Sequence, residues 1–198
     1  MPCLKGKKFE AHHTKVKYRG VFDLKDLYRN CTDVLKDKGF VDNKSYRYME
    51  TLYQEKISAN PREGKAMWIW WRTDKSGDGS PYYTQHIDLT FHMRYLKEIE
   101  IMEQNRKIKV DSGEVEVEIE AYLCLDPEGK WEKHWLLSHV HETYYKRMWR
   151  KQRESILATI KSDAETVANF LKGALELKRF VPERPGFYPP RGYKGAME

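Results

Sequence analysis

The stretch at residues 139–153, HVHETYYKRMWRKQR, gathers side chains that bind metals, phosphates and aromatic rings. It holds two histidines, two tyrosines, one tryptophan and five basic residues. Basic side chains neutralise phosphates and aromatic rings stack on bases, so this composition favours a contact with an anionic partner. The predicted contact residues are Lys146, Arg147, Arg150, Lys151 and Arg153. The same spacing also fits a helix whose basic side is simply solvated, because Tyr145, Met148 and Trp149 fall on one apolar stripe.

The histidines give a weaker case for a metal site. His86, Asp88 and His92 alternate along one face of a predicted strand. Six residues of strand span about 20 Å, so His86 and His92 cannot bind the same ion. His139 and His141 are two residues apart on a predicted helix and therefore point to different sides. The sequence has no HExxH motif and no cysteine cluster, and we predict neither a metal nor a cofactor.

Motifs for covalent catalysis and for phosphate-binding loops are missing from the sequence. It has no G-x-S-x-G element, and no cysteine lies near a histidine in sequence. The glycines of SGDGSP lack the Lys-Ser/Thr pair of a phosphate loop and indicate a hairpin turn. We therefore predict a non-catalytic protein. An enzyme whose active site is assembled from scattered residues would leave no such motif, and that alternative stays open.

A second candidate function rests on aromatic residues of a predicted strand and of the C-terminal helical region. These rings would line a cavity between sheet and helix that takes a small apolar ligand. The predicted lining residues are Trp68, Trp70, Trp71, Tyr144 and Trp149. The same rings are equally suited to filling the hydrophobic core.

Length and composition are those of one folded domain with a substantial core. The chain has 198 residues, 40% of them hydrophobic, which is enough apolar side chain for a single domain to fold. The longest strongly apolar run, residues 66–71, is far shorter than the roughly 20 residues of a membrane span. The net charge of +6 is concentrated at both ends of the chain and at residues 146–153, which favours anionic partners.

The cysteines predict the redox state and the location of the protein. Cys3, Cys31 and Cys124 are odd in number and have no CxxC spacing. With no signal peptide in the sequence, we expect reduced thiols and a cytoplasmic location.

The periodicity of apolar residues predicts one helix, several antiparallel strands and a long C-terminal helical region. Asp23 as N-cap and Gly39 beyond the last turn indicate a helix over residues 23–38. Strands are predicted at residues 9–18, 45–57, 65–73 and 82–104, and residues 105–126 read as a hairpin. One unbroken strand over 82–104 would be about 75 Å long, so we place a bend or bulge near residues 95–97. The helical region covers residues 135–177, with a predicted break at Ser162 and Asp163.

Four glutamates alternate along one face of the last predicted strand: Glu114, Glu116, Glu118 and Glu120. Like charges in a row repel each other, so we expect lysines across from them, with Lys107 and Lys109 as candidates. The row is either a solvated sheet face or a docking surface for a basic partner.

This order of elements resembles the helix-grip architecture of START-like lipid- and polyketide-binding proteins. The resemblance covers residues 9–175 and rests on element order, since no short motif marks that family. It implies an α+β fold in which a curved antiparallel sheet packs on a long C-terminal helix, with a cavity between them. The patterning of lysine and glutamate is similar to that of archaeal proteins.

We divide the chain into three parts. Residues 1–20 are a basic N-terminal segment with an edge strand, residues 21–177 are one α+β domain, and residues 178–198 are an extended arm rich in proline, glycine and aromatic residues. The arm is a candidate for homo-oligomer contacts. The sequence thus favours a binding or assembly module whose basic helix face contacts RNA, DNA or an acidic protein. The alternative is a small apolar ligand bound in the sheet–helix cavity.

Overall fold

The computed structural model of the chain describes residues 3, 6–40, 49–58, 64–76, 80–103 and 106–175. The strands are β1 (Lys7–Phe22), β2 (Glu50–Ile57), β3 (Lys65–Ser76), β4 (Tyr83–Glu103) and β5 (Arg106–Leu125). The helices are α1 (Leu24–Asp37), α2 (Lys130–Lys133), α3 (Leu137–Thr143) and α4 (Arg150–Ala174), with a π-helical turn at Tyr144–Met148 before α4. The predicted arm at residues 178–198 lies outside the described residues.

The five strands form one open antiparallel sheet in the order β1-β5-β4-β3-β2. β1 and β2 are the two edges. β2, β3 and β4 each pair with the next strand along the chain, and β5 also pairs with β1. α4 packs on β1, β4 and β5. The predicted α+β fold, an antiparallel sheet on a long C-terminal helix, is therefore confirmed and is compatible with a helix-grip arrangement. Residues 106–125 form a single strand, and the hairpin is the one that β5 makes with β4.

The hydrophobic core lies between one face of the sheet, the inner face, and the helices α1 and α4. Alternate residues of β3, β4 and β5 fill it: Met67, Ile69, Trp71, Ile87, Leu89, Phe91, Met93, Val115, Val117, Ile119, Ala121 and Leu123. The helices add Leu27, Cys31, Leu35, Ile160, Ala164, Val167 and Leu171. Because successive strand residues point to opposite faces, the intervening residues lie on the outer face of the sheet, away from the helices.

The predicted helix α1 is confirmed together with its caps. The Asp23 carboxylate accepts hydrogen bonds from the backbone N–H groups of Lys25 at 2.9 Å and Asp26 at 3.0 Å. These bonds satisfy two of the donors that every helix leaves unpaired in its first turn. At the other end Gly39 has φ +76°, a left-handed conformation that glycine adopts at little cost.

The predicted bend in β4 is confirmed as a bulge. The pairing with β5 shifts between Arg94 and Lys97, and Tyr95 has φ +58°. Unbroken alternation along β4 would place Tyr95 on the core face with Met93. The extra residue shifts the alternation by one, so Leu96 is buried while the Tyr95 side chain is 57% exposed. Gly113 faces the bulge across the ladder, where a Cβ would lie 2.9 Å from the Arg94 carbonyl oxygen.

The predicted break of the C-terminal helix at Ser162 and Asp163 is wrong, because α4 runs through both residues. The Asp163 carboxylate does not cap a helix; it forms an ion pair with Lys38 Nζ at 2.9 Å and so joins α4 to the end of α1. The helical axis is interrupted earlier, at the π-helical turn. There the Trp149 N–H donates to the Tyr144 carbonyl oxygen at 3.0 Å, five residues back, and α4 begins afresh at Arg150.

The glutamate row of β5 is neutralised by β1 and not by Lys107 or Lys109. The closest pairs are Lys17–Glu114 at 2.8 Å, Lys15–Glu116 at 3.0 Å, His13–Glu118 at 2.8 Å and Lys8–Glu120 at 3.3 Å. The prediction failed because β1, which is distant in sequence, lies beside β5 in the sheet. Lys109 pairs instead with Glu98 across the β4–β5 hairpin, at 2.9 Å.

Cys3 and Cys124 form a disulfide, with their Cα atoms 5.8 Å apart. The expectation of reduced thiols is therefore wrong for these two residues, and it stands only for Cys31, which is buried in the core. Burial raises the pKa of the Cys31 thiol to about 12. Disulfides persist in oxidising compartments and also inside hyperthermophilic cells, so the cysteines no longer favour a reducing cytoplasm. The cytoplasmic location stays a prediction.

Candidate binding sites

The five basic residues predicted to contact an anionic partner lie on one helical segment. Lys146 and Arg147 belong to the π-helical turn, and Arg150, Lys151 and Arg153 lie in the first turns of α4. All are exposed except Arg153, which is half-buried. The segment therefore presents cations to solvent, as expected.

Neighbouring groups already engage three of these cations. Lys146 pairs with Glu142 at 2.5 Å and Arg150 pairs with Glu154 at 2.8 Å. The Arg153 guanidinium lies over the Phe9 ring of β1, 4.9 Å from its centroid, and donates to the Tyr145 carbonyl oxygen. For the remaining two, Arg147 and Lys151, the described residues provide neither a salt bridge nor a ring contact. The basic helix face thus offers a partner two unpaired cations.

The aromatic pocket is a cavity of about 560 Å³ between the sheet and the C-terminal helices. Five rings line it: Tyr82, Tyr83, Trp131, Tyr144 and Trp149. The start of β4, the end of β5, α2, the π-helical turn and α4 each contribute to its wall. Ligand pockets commonly have volumes of roughly 300–1,000 Å³ and mainly aromatic or apolar walls.

Tyr82 is the central ring of this pocket. Its ring centroid lies 4.9 Å from that of Trp131, 5.6 Å from Tyr144 and 5.3 Å from Trp149. One hydrogen bond of 3.0 Å joins the Tyr82 hydroxyl to His141 Nε2. Burial raises the pKa of Tyr82 and lowers the pKa of His141, so both groups are neutral near pH 7. Their bond fixes the Tyr82 ring and leaves no charge on the pocket floor from either residue.

Two local conformations position the walls of the pocket. Asp126 has φ +50°, and its carboxylate accepts hydrogen bonds from the backbone N–H groups of Lys130 and Trp131, both at 2.8 Å. This cap holds α2 and places the Trp131 ring against Tyr82. On the opposite wall, the π-helical turn sets Tyr144 and Trp149 at the same pocket. π-helical turns are rare and frequently occur at functional sites.

The predicted cavity residues do not share one cavity. Tyr144 and Trp149 line the aromatic pocket. Trp71 is fully buried in the core, where its ring packs on Tyr28 and Phe91. The two remaining tryptophans, Trp68 and Trp70, lie on the outer face of the sheet. The sequence predicted one cavity lined by these five residues. In the structure they are divided among the aromatic pocket, the hydrophobic core and the outer face of the sheet.

The predicted histidine and aspartate of β4 lie in a buried polar cluster on the outer face. His86 and Asp88 are only 3% and 8% exposed. The His86 ring stacks on Tyr122, with centroids 4.8 Å apart, and the Tyr122 hydroxyl donates to Asp88 Oδ2 at 3.1 Å. Arg72 Nε lies 3.5 Å from the same oxygen. Tyr122 and Arg72 are thus the polar neighbours of this carboxylate.

His92 and the helix histidines take other positions. His92 stacks on Trp68 with ring centroids 5.2 Å apart, and His139 is exposed on α3. Another group, His13 with Glu118 and Glu120, brings three ligand atoms within 4.8 Å of one another. Those carboxylates already belong to the glutamate row, where Lys8 and Lys15 compete with any cation.

Sequence reasoning missed Tyr82 and Trp131, which line the aromatic pocket, and His141, which forms a hydrogen bond with Tyr82. The aromatic pair Tyr82 and Tyr83 directly follows a turn signal, and Trp131 follows the turn PEGK. Each is an aromatic residue at the end of a strand or start of a helix, where side chains from separate elements converge. That signal exists in the sequence, but it does not show which of these ends meet.

Comparison with known proteins does not assign this chain to a family. No protein-family model matches this sequence, and no curated protein matches it. Within the described part of the chain, every helix is too short or too polar to cross a bilayer.

Proposed function

We propose that the protein binds a small planar or apolar ligand in the aromatic pocket, as a non-catalytic binding module. The observation that carries this proposal is the group of five rings around a cavity of about 560 Å³ between sheet and helices. Rings from separate elements give a ligand a large apolar contact area and edges for stacking. The order of elements, which resembles START-like ligand-binding proteins, supports the same location by analogy.

The polar groups of the pocket suit binding better than catalysis. The Tyr82 hydroxyl is engaged by His141, and the Asp126 carboxylate is engaged by the backbone of α2. The wall also includes Ser80, Gln152 and Lys130, which pairs with Glu128 at 2.6 Å. These side chains can orient polar groups of a ligand, and the five rings supply its apolar contact area. We therefore expect a ligand with an apolar ring system and at most a few polar substituents.

The proposal is tested with the neutral fluorescent probe N-phenyl-1-naphthylamine and the full chain. The variant Gln152→Trp places a large ring at the pocket wall, and Asn169→Trp makes a matched change at an exposed position of the same helix. We expect saturable binding in the wild type and in Asn169→Trp, and at least about tenfold weaker binding in Gln152→Trp. At about 100 times the Kd, the probe should stabilise the folded protein by about 2.7 kcal/mol. Equal probe binding by all three proteins would contradict the proposal.

A second candidate function is the contact of the basic helix face with an anionic partner, nucleic acid or acidic protein. Its support is that Arg147 and Lys151 are exposed and have no salt bridge within the described residues. Exposed cations that meet phosphates give an affinity that falls steeply with salt. Heparin binding, measured at about 50 and 200 mM salt, should therefore weaken in Arg147→Glu/Lys151→Glu. Unchanged heparin affinity in this variant would exclude the helix face.

A further inference from the structure

Two neighbouring grooves lie at the bulge of β4. The first, of about 310 Å³, is bordered by Lys56, Lys65, Trp68, His92, Arg94 and Tyr95. The second, of about 270 Å³, is bordered by Arg19, Tyr95, Lys97, Ser112, Gly113 and Glu114. They share the wall formed by Tyr95, and the Arg94–Glu114 ion pair of 2.9 Å connects one to the other. The two grooves are therefore adjacent along the sheet, and together they are called here the outer-face track.

The charge of this track is strongly one-sided. Its lining holds five cations (Arg19, Lys56, Lys65, Arg94 and Lys97) against one carboxylate, Glu114. Lys65 and Arg94 have ion-pair partners in Glu55 and Glu114. The other three cations are exposed and form no salt bridge with any residue that the structure describes. Several exposed cations along one groove are suited to a ligand with repeated negative charges.

Aromatic rings interleave with these cations. Trp68 and His92 form a stacked pair, with their planes inclined by 21°. Tyr95 stands between the two grooves and is 57% exposed. Trp70, the next outer-face residue of β3 after Trp68, is 41% exposed. Neighbouring exposed rings rimmed by polar side chains can mark a ligand-binding groove.

The backbone conformation at the β4 bulge places the Tyr95 side chain between the two grooves. The bulge turns Tyr95 away from the core position that the strand alternation would give it. Two glycines make room for the bulge. A Cβ on Gly64 would lie 2.6 Å from the Leu96 carbonyl oxygen, and one on Gly113 would lie 2.9 Å from that of Arg94. Bulges often re-aim a side chain beside a binding site, and this one sets an aromatic ring between cations.

We propose that the outer-face track binds single-stranded nucleic acid. Cations that follow a groove match a phosphate backbone, and open rings beside them match unstacked bases. An acidic protein would use the cations but would leave Trp68, His92 and Tyr95 without a stacking partner. A duplex would hide its bases from the rings. The proposal is independent of the small-ligand pocket, whose lining residues are all different.

The test is the fluorescence anisotropy of labelled, mixed-sequence RNA and DNA strands of about 12 nucleotides, titrated with the full chain at about 50 and 200 mM salt. The variant Lys56→Glu/Lys97→Glu reverses two cations of the track. Lys25→Glu/Arg29→Glu makes the same change of charge at two exposed residues of helix α1 that form no salt bridge with any described residue, and it serves as the matched control. Each phosphate contact on a single strand contributes about 0.7 to the salt slope, so the track variant should flatten that slope by about 1.4. It should also bind at least about tenfold more weakly, while the α1 variant binds as the wild type does.

Stacking is tested by Trp68→Ala, with Trp68→Phe as the conservative control. Loss of a stacked ring should weaken binding by about tenfold, and phenylalanine should restore most of it. Circular dichroism and the thermal midpoint show that each variant is folded. The proposal is overturned by absent binding at the lower salt, by equal loss in both charge variants, or by loss in the α1 variant alone. It is also overturned if labelled polyglutamate binds as tightly as RNA, since that result would assign the track to an acidic protein. Binding of the neutral probe in the aromatic pocket is unaffected by any of these outcomes.

Discussion

The buried pair His86 and Asp88 makes a quantitative prediction about stability and pH. Burial lowers the pKa of His86 from 6.5 to about 4, with the charge of Asp74 acting against that change. Burial raises the pKa of Asp88 from 3.8 to about 6, and the charge of Arg72 opposes it. Tyr122 and Glu120 affect Asp88 in opposite directions. Neither residue is among the main influences on the pKa of the other, so their effects should add.

The two shifts have opposite consequences. The folded-state pKa of His86 lies below its unfolded value, so the unfolded chain takes up the proton first as the pH falls from 6.5 towards 4. Stability is lost over that window, by about 3 kcal/mol at 1.36 kcal/mol per pKa unit. The folded-state pKa of Asp88 lies above its unfolded value, so the folded chain takes up the proton first as the pH falls from 6 towards 3.8. Stability is regained there by about the same amount, and the two contributions nearly cancel.

The variant Asp88→Asn removes the stability that protonation of Asp88 restores at low pH and leaves the loss caused by His86. Its free energy of unfolding should fall by about 3 kcal/mol more than that of the wild type between pH 7 and pH 4. His86→Gln should show the opposite difference. The assay is urea unfolding followed by tryptophan fluorescence at several pH values. Comparison with the wild type removes the contributions of the other carboxylates. Exposed His139→Gln is the control and should follow the wild-type curve. Parallel curves for Asp88→Asn and the wild type would refute the reasoning.

Three further substitutions have defined outcomes. Reduction of the Cys3–Cys124 disulfide, which closes a loop with a sequence separation of 121, should lower the free energy of unfolding by up to about 5 kcal/mol. Cys3→Ser should show the same loss and no further response to dithiothreitol; a continued response would place the effect elsewhere. Gly113→Ala should cost about 1–3 kcal/mol in urea unfolding, because its Cβ would lie 2.9 Å from a carbonyl oxygen. Gly173→Ala has no atom within 4 Å and lies in α4, so it should stabilise the protein by about 0.5–1 kcal/mol. Equal effects of the two alanines would contradict the steric argument.

The sequence predicted those parts of the fold that depend on local pattern. Asp23 and Gly39 mark the ends of α1 because capping is decided by residues next to the helix. The alternation of β5 gave its buried face, since one face of an antiparallel strand meets the core. The bulge in β4 followed from strand length alone.

The remaining features depend on contacts between segments distant in sequence. The disulfide and the partners of the glutamate row follow from the pairing of β1 with β5, which no local pattern marks. The break before α4 was misplaced because Ser162 and Asp163 have good capping chemistry, whereas the carboxylate of Asp163 serves Lys38. For the candidate sites, Tyr144 and Trp149 were named, but Tyr82 and Trp131 reach the same pocket only through the tertiary fold.

The ion pairs between β1 and β5 have a consequence for how the chain folds. The glutamates of β5 and the β1 residues His13, Lys15 and Lys17 both repeat every second residue. A slip by two positions would therefore set lysines beside glutamates again, and charge alone selects the native alignment poorly. Such a slip would displace Cys3 by about 7 Å along the strand direction relative to Cys124, which is too far for a sulfur–sulfur bond. Closure of the Cys3–Cys124 bond therefore stabilises the native alignment of β1 relative to an alignment slipped by two residues.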